Sequence, residues 1–322
     1  MNALLNLIRK RIILVILYVP LQIICAQTTV TNYQIVSGQI KQGAKDLVAL
    51  RSLEIDHVPY FLAYDPNLLQ CQLLLQQKNK LETLTRVEHD FLNKNSLMNQ
   101  LQKQNSSVKN QPQLGFKLAF PKGNGVRFIL DFCSLPQTWD KEFINGLIDK
   151  LLQIEKPLNI AVSIPASSLK THKGDLSFFK DLQKKGVKIT WINHGAHAVT
   201  QTKNKIAENY LTDPNTDVVQ EVLENEQVLI GLGFIPSPLF MIPGSLTDVE
   251  NCQEVIDYGL LPVSSDDAFV KARTLFPGQC VFSTLNGTTF MTDTDFFSSI
   301  AKDKKQYASN QWMITFLMNV KK

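Results

Sequence analysis

Hydrophobic positions along this chain are spaced in three ways, and each spacing predicts a different element. From Ile12 to Tyr18, and past Pro20 to Ile24-Cys25-Ala26, apolar residues run almost unbroken behind Arg9-Lys10-Arg11. Further on, Leu68, Leu69, Leu73, Leu74, Leu75, Leu81 and Leu84 recur near helical spacing, and Val87 and Phe91 continue the series. That recurrence in a glycine-free stretch predicts one or two amphipathic helices. The region 27–112 is therefore expected to be mostly helical, closing in a polar linker at 104–112. From residue 114 onward short apolar runs alternate with helical patterns. Strands are expected at 126–132, 158–162, 187–191, 240–242, 260–263 and 279–282. Helices are expected at 141–154, 178–184, 216–232, 248–258 and 293–301. Repeated strand-then-helix units imply an α/β fold with a parallel sheet, open or closed into a barrel. In closed βα barrels the chemistry sits at the C-terminal ends of the strands.

The first apolar run changes the picture most. Positive charges, an apolar segment of about fifteen residues and a small-residue end follow the order of a secretory signal, with cleavage expected after Ala26. The run is shorter than the ~20 residues a spanning helix needs. The mature chain is thus expected to be secreted or periplasmic with no stable membrane span; an uncleaved N-terminal anchor is the alternative. Beyond the signal, Cys71, Cys133, Cys252 and Cys280 remain. An oxidising compartment would allow three pairings among them, and their spacing favours none. No CxxC spacing supports a structural zinc site. Hydrophobic residues make up 44% of the chain and the net charge is only +4, enough for a core and too little to imply an anionic partner. No basic stripe interleaved with aromatics points to nucleic acid.

Polar residues collect where the predicted strands end. Asp131 follows the first, and Asn193-His194-Gly195-Ala196-His197 follows Trp191. Pro243-Gly244 follows Met241-Ile242, Ser264-Ser265-Asp266-Asp267 follows Val263, and Thr284-Leu285-Asn286-Gly287 ends the last. The series Ile129-Leu130-Asp131-Phe132-Cys133-Ser134, then Ile189-Thr190-Trp191-Ile192-Asn193-His194, resembles the polysaccharide deacetylase family of NodB-homology type. Phe240-Met241-Ile242-Pro243-Gly244 and Gly259-Leu260-Leu261-Pro262-Val263-Ser264-Ser265-Asp266 continue the likeness in the family's order. It covers about residues 114 to 303.

The resemblance implies a distorted βα barrel and a divalent metal, commonly zinc, that polarises an acetyl carbonyl and activates water. Its substrate class is an envelope or extracellular polysaccharide carrying N-acetyl groups. Position by position, Asp131 matches the general base and His194 the first metal-binding histidine. Ala198 stands where the second histidine is expected, and His197, one residue early, is the substitute. Trp191, Asn193 and Asp266 are the substrate-binding candidates. Phe132 replaces the metal-binding aspartate, Met241 the arginine that orients the base, and Thr284 the late histidine. Two expectations arise. One is an active metal-dependent N-deacetylase. The other is a degenerate member, with no metal, that binds glycan or a protein partner without turnover. The expected organisation is a signal peptide at 1–26, a helical region at 27–112, a deacetylase-like barrel at 113–305 and a C-terminal segment at 306–322.

Overall fold

The computed structural model describes residues 28–83, 127–132, 141–154, 156–197, 210–243, 248–263, 267–268 and 280–284. The expected signal segment, the leucine-rich stretch beyond residue 83 with its linker, Ala198, Asp266, the helix expected at 293–301 and the C-terminal segment lie outside the described residues.

The N-terminal region is a β-sheet, which corrects the helical expectation for its described part. Strands β1 (Val30–Gln42), β2 (Lys45–Ile55), β3 (Val58–Asp65), β4 (Gln70–Leu75) and β5 (Leu81–Thr83) pair antiparallel in the order β4-β3-β2-β1-β5. Tight turns set the register. Gln42 pairs with Lys45 across Gly43-Ala44, where Gly43 holds φ 62°. Ile55 pairs with Val58 across Asp56-His57, whose φ values of 49° and 65° are those of a type I′ hairpin turn. The leucines whose spacing suggests a helix satisfy a strand equally well. Leu73 pairs with Leu62, Leu74 with Phe61 and Leu75 with Tyr60, so partners distant in sequence override the local spacing. Leu74 joins Ile40, Leu47, Ala49, Phe61 and Ala63 in a small core on one side of this sheet.

The α/β expectation holds for the described residues from 127 onward. Seven strands, β6 (Arg127–Asp131), β7 (Leu158–Ile164), β8 (Val187–Asn193), β9 (Pro236–Met241), β10 (Leu261–Val263), β11 (Asp267–Ala268) and β12 (Cys280–Thr284), form one parallel sheet. Its order is β10-β9-β8-β7-β6-β12-β11. Among the described residues no pairing joins the β10 and β11 edges. The helices are α1 (Lys141–Ile154), α2 (Ala166–Thr171), α3 (Ser177–Lys184), α4 (Val218–Gly231) and α5 (Val249–Asp257).

Strand alternation separates two faces. Leu130, Phe132, Leu158, Ile160, Val162, Ile164 and Trp191 meet Ile144, Ile148 and Leu151 of α1 and Phe178, Phe179 and Leu182 of α3. That spacing on α1 is the apolar stripe of a helix lying on a sheet. The alternate residues Ile129, Ala161 and Ile192 belong to a second core with Val218 and Val222 of α4 and Cys252 and Val255 of α5. Val48, Leu50 and Tyr64 of the antiparallel sheet and Leu69 of its β3–β4 turn enter the same core. Side-chain caps start the two long helices that bound it: Asp217 Oδ1 accepts from Gln220 N at 3.0 Å and Asp248 Oδ1 from Asn251 N at 2.8 Å.

Candidate functional site

Parallel pairing puts the C-terminal ends of β6, β7 and β8 side by side. Asp131 closes β6 opposite Ser163 of β7, and Ser163 lies opposite Ile192 of β8. One residue past β8, His194 turns back over these ends. Its Nε2 stands 3.3 Å from Asp131 Oδ1. Both residues are buried, Asp131 at 6% exposure and His194 at 1%. The other ring nitrogen, Nδ1, lies 3.2 Å from the backbone carbonyl of Met241. A carbonyl can only accept, so Nδ1 carries the proton and Nε2 is the atom offered to the site. The family-like positions Asp131, His194 and Met241 are thereby assembled from three strands, with Met241 contributing its carbonyl rather than its buried side chain.

The neighbouring expectations fall elsewhere. Phe132 continues the sheet, its N–H donating to Ser163 O at 2.8 Å. Its side chain points to the helix-covered face and meets Phe179 edge-on, ring centroids 5.9 Å apart. Trp191, expected to meet substrate, is core: it is 3% exposed, stacked on Phe234 at 4.2 Å and edge-on to Phe179 at 5.0 Å. Asn193, the next candidate, is also inside the protein. It is fully buried, its Nδ2 donates to Val222 O at 2.9 Å and its Oδ1 accepts from Gly195 N at 2.9 Å. Both polar ends are thus used inside the protein.

His197 points away from the pair. Its side chain is 72% exposed, and its Nδ1 is hydrogen-bonded to Glu221 of α4. The same carboxylate accepts from Ala196 N at 2.7 Å and His197 N at 3.1 Å. Asn225, one turn along, donates to Ile164 O at 2.8 Å and Gly195 O at 2.9 Å. Glu221 and Asn225 therefore fix the loop that carries His194, and neither is a candidate from sequence. A signal for them exists: both interrupt the buried stripe Val218, Val222, Leu229 and Ile230 of α4. A polar residue on the core side of an amphipathic helix needs a partner.

A divalent metal of the kind the resemblance implies takes three protein donors in a catalytic zinc site. Among the described residues no three His, Cys, Asp or Glu side chains converge to hold one. Asp131 and His194 supply two donors, Phe132 cannot ligate, and His197 is engaged by Glu221. The described residues do not fit the metal. Thiols do not extend the set. Cys71 and Cys252 are free, burial pushes Cys252 up to about 12, and burial with the Glu226 charge drives Cys71 well above its usual range. Cys133 lies outside the described residues, as does the side chain of Cys280.

No protein-family profile matches the chain. Solved structures similar to it include a CE4 family pseudoenzyme from Bacillus anthracis, with 13% identity and a TM-score of 0.39. That alignment covers 58% of this chain, which spans 62% of the pseudoenzyme's length. A family 4 carbohydrate esterase from Streptomyces lividans in complex with acetate shares 14% identity over 61% of this chain and 94% of its own, at a TM-score of 0.39. A family 4 carbohydrate esterase from Bacillus anthracis shares 14% over 72% and 90%, at 0.43. The resemblance is distant.

Proposed function

We propose that this chain is an exported, polysaccharide deacetylase-like protein on a distorted βα barrel that engages an N-acetylated envelope or extracellular glycan without hydrolysing it. The likeness of the strand-end motifs supports the family reading, and the charged-apolar-small order of residues 1–26 supports export to a secreted or periplasmic location. No helix among the described residues is long and apolar enough to cross a membrane. One observation carries the loss of turnover: among the described residues the Asp131–His194 pair has no third donor, because Phe132 faces the helix-side core and His197 is held by Glu221. Two donors leave a transition metal under-coordinated, and without it the acetyl carbonyl loses its Lewis acid.

A second reading, an active zinc-dependent deacetylase, draws on the fixed ring of His194. Nδ1 anchored on a carbonyl, which leaves the other ring nitrogen free to ligate, is how metal-binding histidines are commonly held. One experiment decides between them. The chain beginning at residue 27 is loaded with zinc and dialysed, its metal content is measured, and acetate release is assayed on chitin oligomers and peptidoglycan fragments. The expected outcome is far less than one equivalent of zinc and no acetate, with the same glycans retained in a binding assay. Stoichiometric zinc with acetate release would establish the second reading instead, and failure to retain any glycan would sink the first.

A further inference from the structure

Two polar atoms at the ends of β7 and β8 are fully buried and have no hydrogen-bond partner among the described residues: Ser163 Oγ and His194 Nε2. Their residues are 0% and 1% exposed. They flank Asp131, since Ser163 is its register partner across the sheet and Nε2 lies 3.3 Å from its carboxylate. With the ring proton on Nδ1, Nε2 and the carboxylate oxygen 3.3 Å away are both acceptors, so no direct hydrogen bond joins them. Buried polar groups without a protein partner commonly share an internal water.

We propose that Asp131, Ser163 and His194 hold a single internal water molecule at the ends of β6, β7 and β8. The donors and acceptors match it. Met241 O accepts the hydrogen bond from Nδ1–H, so Nε2 offers a lone pair and the Asp131 carboxylate offers another. The water donates one hydrogen to each, and the Ser163 hydroxyl donates to the water's oxygen. Three hydrogen bonds are usual for a buried water. A divalent cation matches less well. One carboxylate beside two neutral groups leaves uncompensated positive charge in a closed site, and a serine hydroxyl is not among the usual zinc donors. The inference rests on the reading proposed above, in which the pair carries no metal. With the water, Asp131, Ser163 and His194 form one polar network.

The test uses the chain from residue 27 and two measurements. A crystal structure at a resolution that shows ordered waters is expected to contain one within hydrogen-bonding distance of Ser163 Oγ, Asp131 and His194 Nε2. Nitrogen-15 spectra of the imidazoles, with His194 assigned by His194→Gln, are expected to show the Nδ1–H tautomer and an Nε2 resonance shifted by accepting a hydrogen bond. Ser163→Val, whose methyls take the water's place, is expected to remove that Nε2 shift while Nδ1 stays put. Should the valine variant fail to fold, Ser163→Ala is expected to weaken the shift. A direct Nε2–Asp131 hydrogen bond with no water density would overturn the water and leave the non-catalytic reading intact. An anomalous zinc peak at that point would overturn both.

Discussion

Arg51 is fully buried in strand β2, with every nitrogen of its guanidinium engaged. Nε donates to Glu226 Oε2 at 2.7 Å and Nη2 to Oε1 at 3.0 Å, a bidentate pair. Nη1 reaches Leu50 O at 2.8 Å and Tyr258 O at 2.7 Å. Tyr33 donates to the same carboxylate at 3.0 Å, and burial together with the Glu226 charge holds its hydroxyl well above the ordinary tyrosine range. A buried ion pair is worth little against an apolar substitute, but half of one is costly, because the remaining charge is stranded in a dry core. Arg51→Met is therefore expected to destabilise the protein by about 3–5 kcal/mol in urea unfolding. The double variant Arg51→Met/Glu226→Leu should recover most of that loss. Additive losses in the double variant would show that the two side chains act independently.

At the scale of elements, α4 ties the candidate site together. Over little more than one turn Glu221, Val222 and Asn225 hold the backbone from Asn193 to His197, and Glu226 then reaches across to Arg51. Removing the Glu221 carboxylate leaves the Ala196 and His197 amides without their acceptor. Glu221→Ala should cost roughly 1–3 kcal/mol and speed amide exchange at Ala196 and His197, while β7 amides stay protected. Unchanged exchange at those two amides would mean that α4 does not hold the loop. This element also marks how far sequence reaches. The apolar runs of β6 to β9 and the stripe of α1 declare themselves by period, and with the strands in order Asp131 and His194 have to lie near one another. The partners of the His194 loop are half declared in the sequence: the interrupted stripe of α4 marks Glu221 and Asn225 as needing partners, and which loop they meet is settled only when α4 packs. Trp191 and Asn193 sit beside His194 in sequence, yet alternation along β8 turns Trp191 into the helix-side core. The N-terminal sheet escapes a reading by period for a related reason. Leu73 to Leu75 fit either spacing, and the turn at Asp56-His57 uses positive φ without glycine, so the hairpin has no conspicuous marker.

For the molecule as a whole, the antiparallel sheet and the α/β region share one core. Val48, Leu50, Tyr64 and Leu69 lie among Ile129, Ala161, Ile192 and Leu239. The turn after α5 comes so close to β2 that a Cβ on Gly259, itself at φ 83°, would lie 2.7 Å from Leu50 Cδ2. Withdrawing the sheet uncovers that core and strands Glu226. Burying an apolar side chain is worth about 1.5–3 kcal/mol, so four such contacts amount to roughly 6–12 kcal/mol. That is comparable to the whole stability of an ordinary domain, about 5–15 kcal/mol. A chain beginning at residue 113 is accordingly expected to expose apolar surface, bind a hydrophobic dye and lack a cooperative thermal transition. The chain from residue 27 should unfold in one transition, seen alike by far- and near-ultraviolet circular dichroism. A sharp two-state melt of the shorter chain would show that the parallel sheet stands alone and that the N-terminal sheet is an appendage. The interlocked core and the Arg51–Glu226 pair argue for the opposite result, in which the sheet that carries none of the family-like residues is what keeps Asp131 and His194 in place.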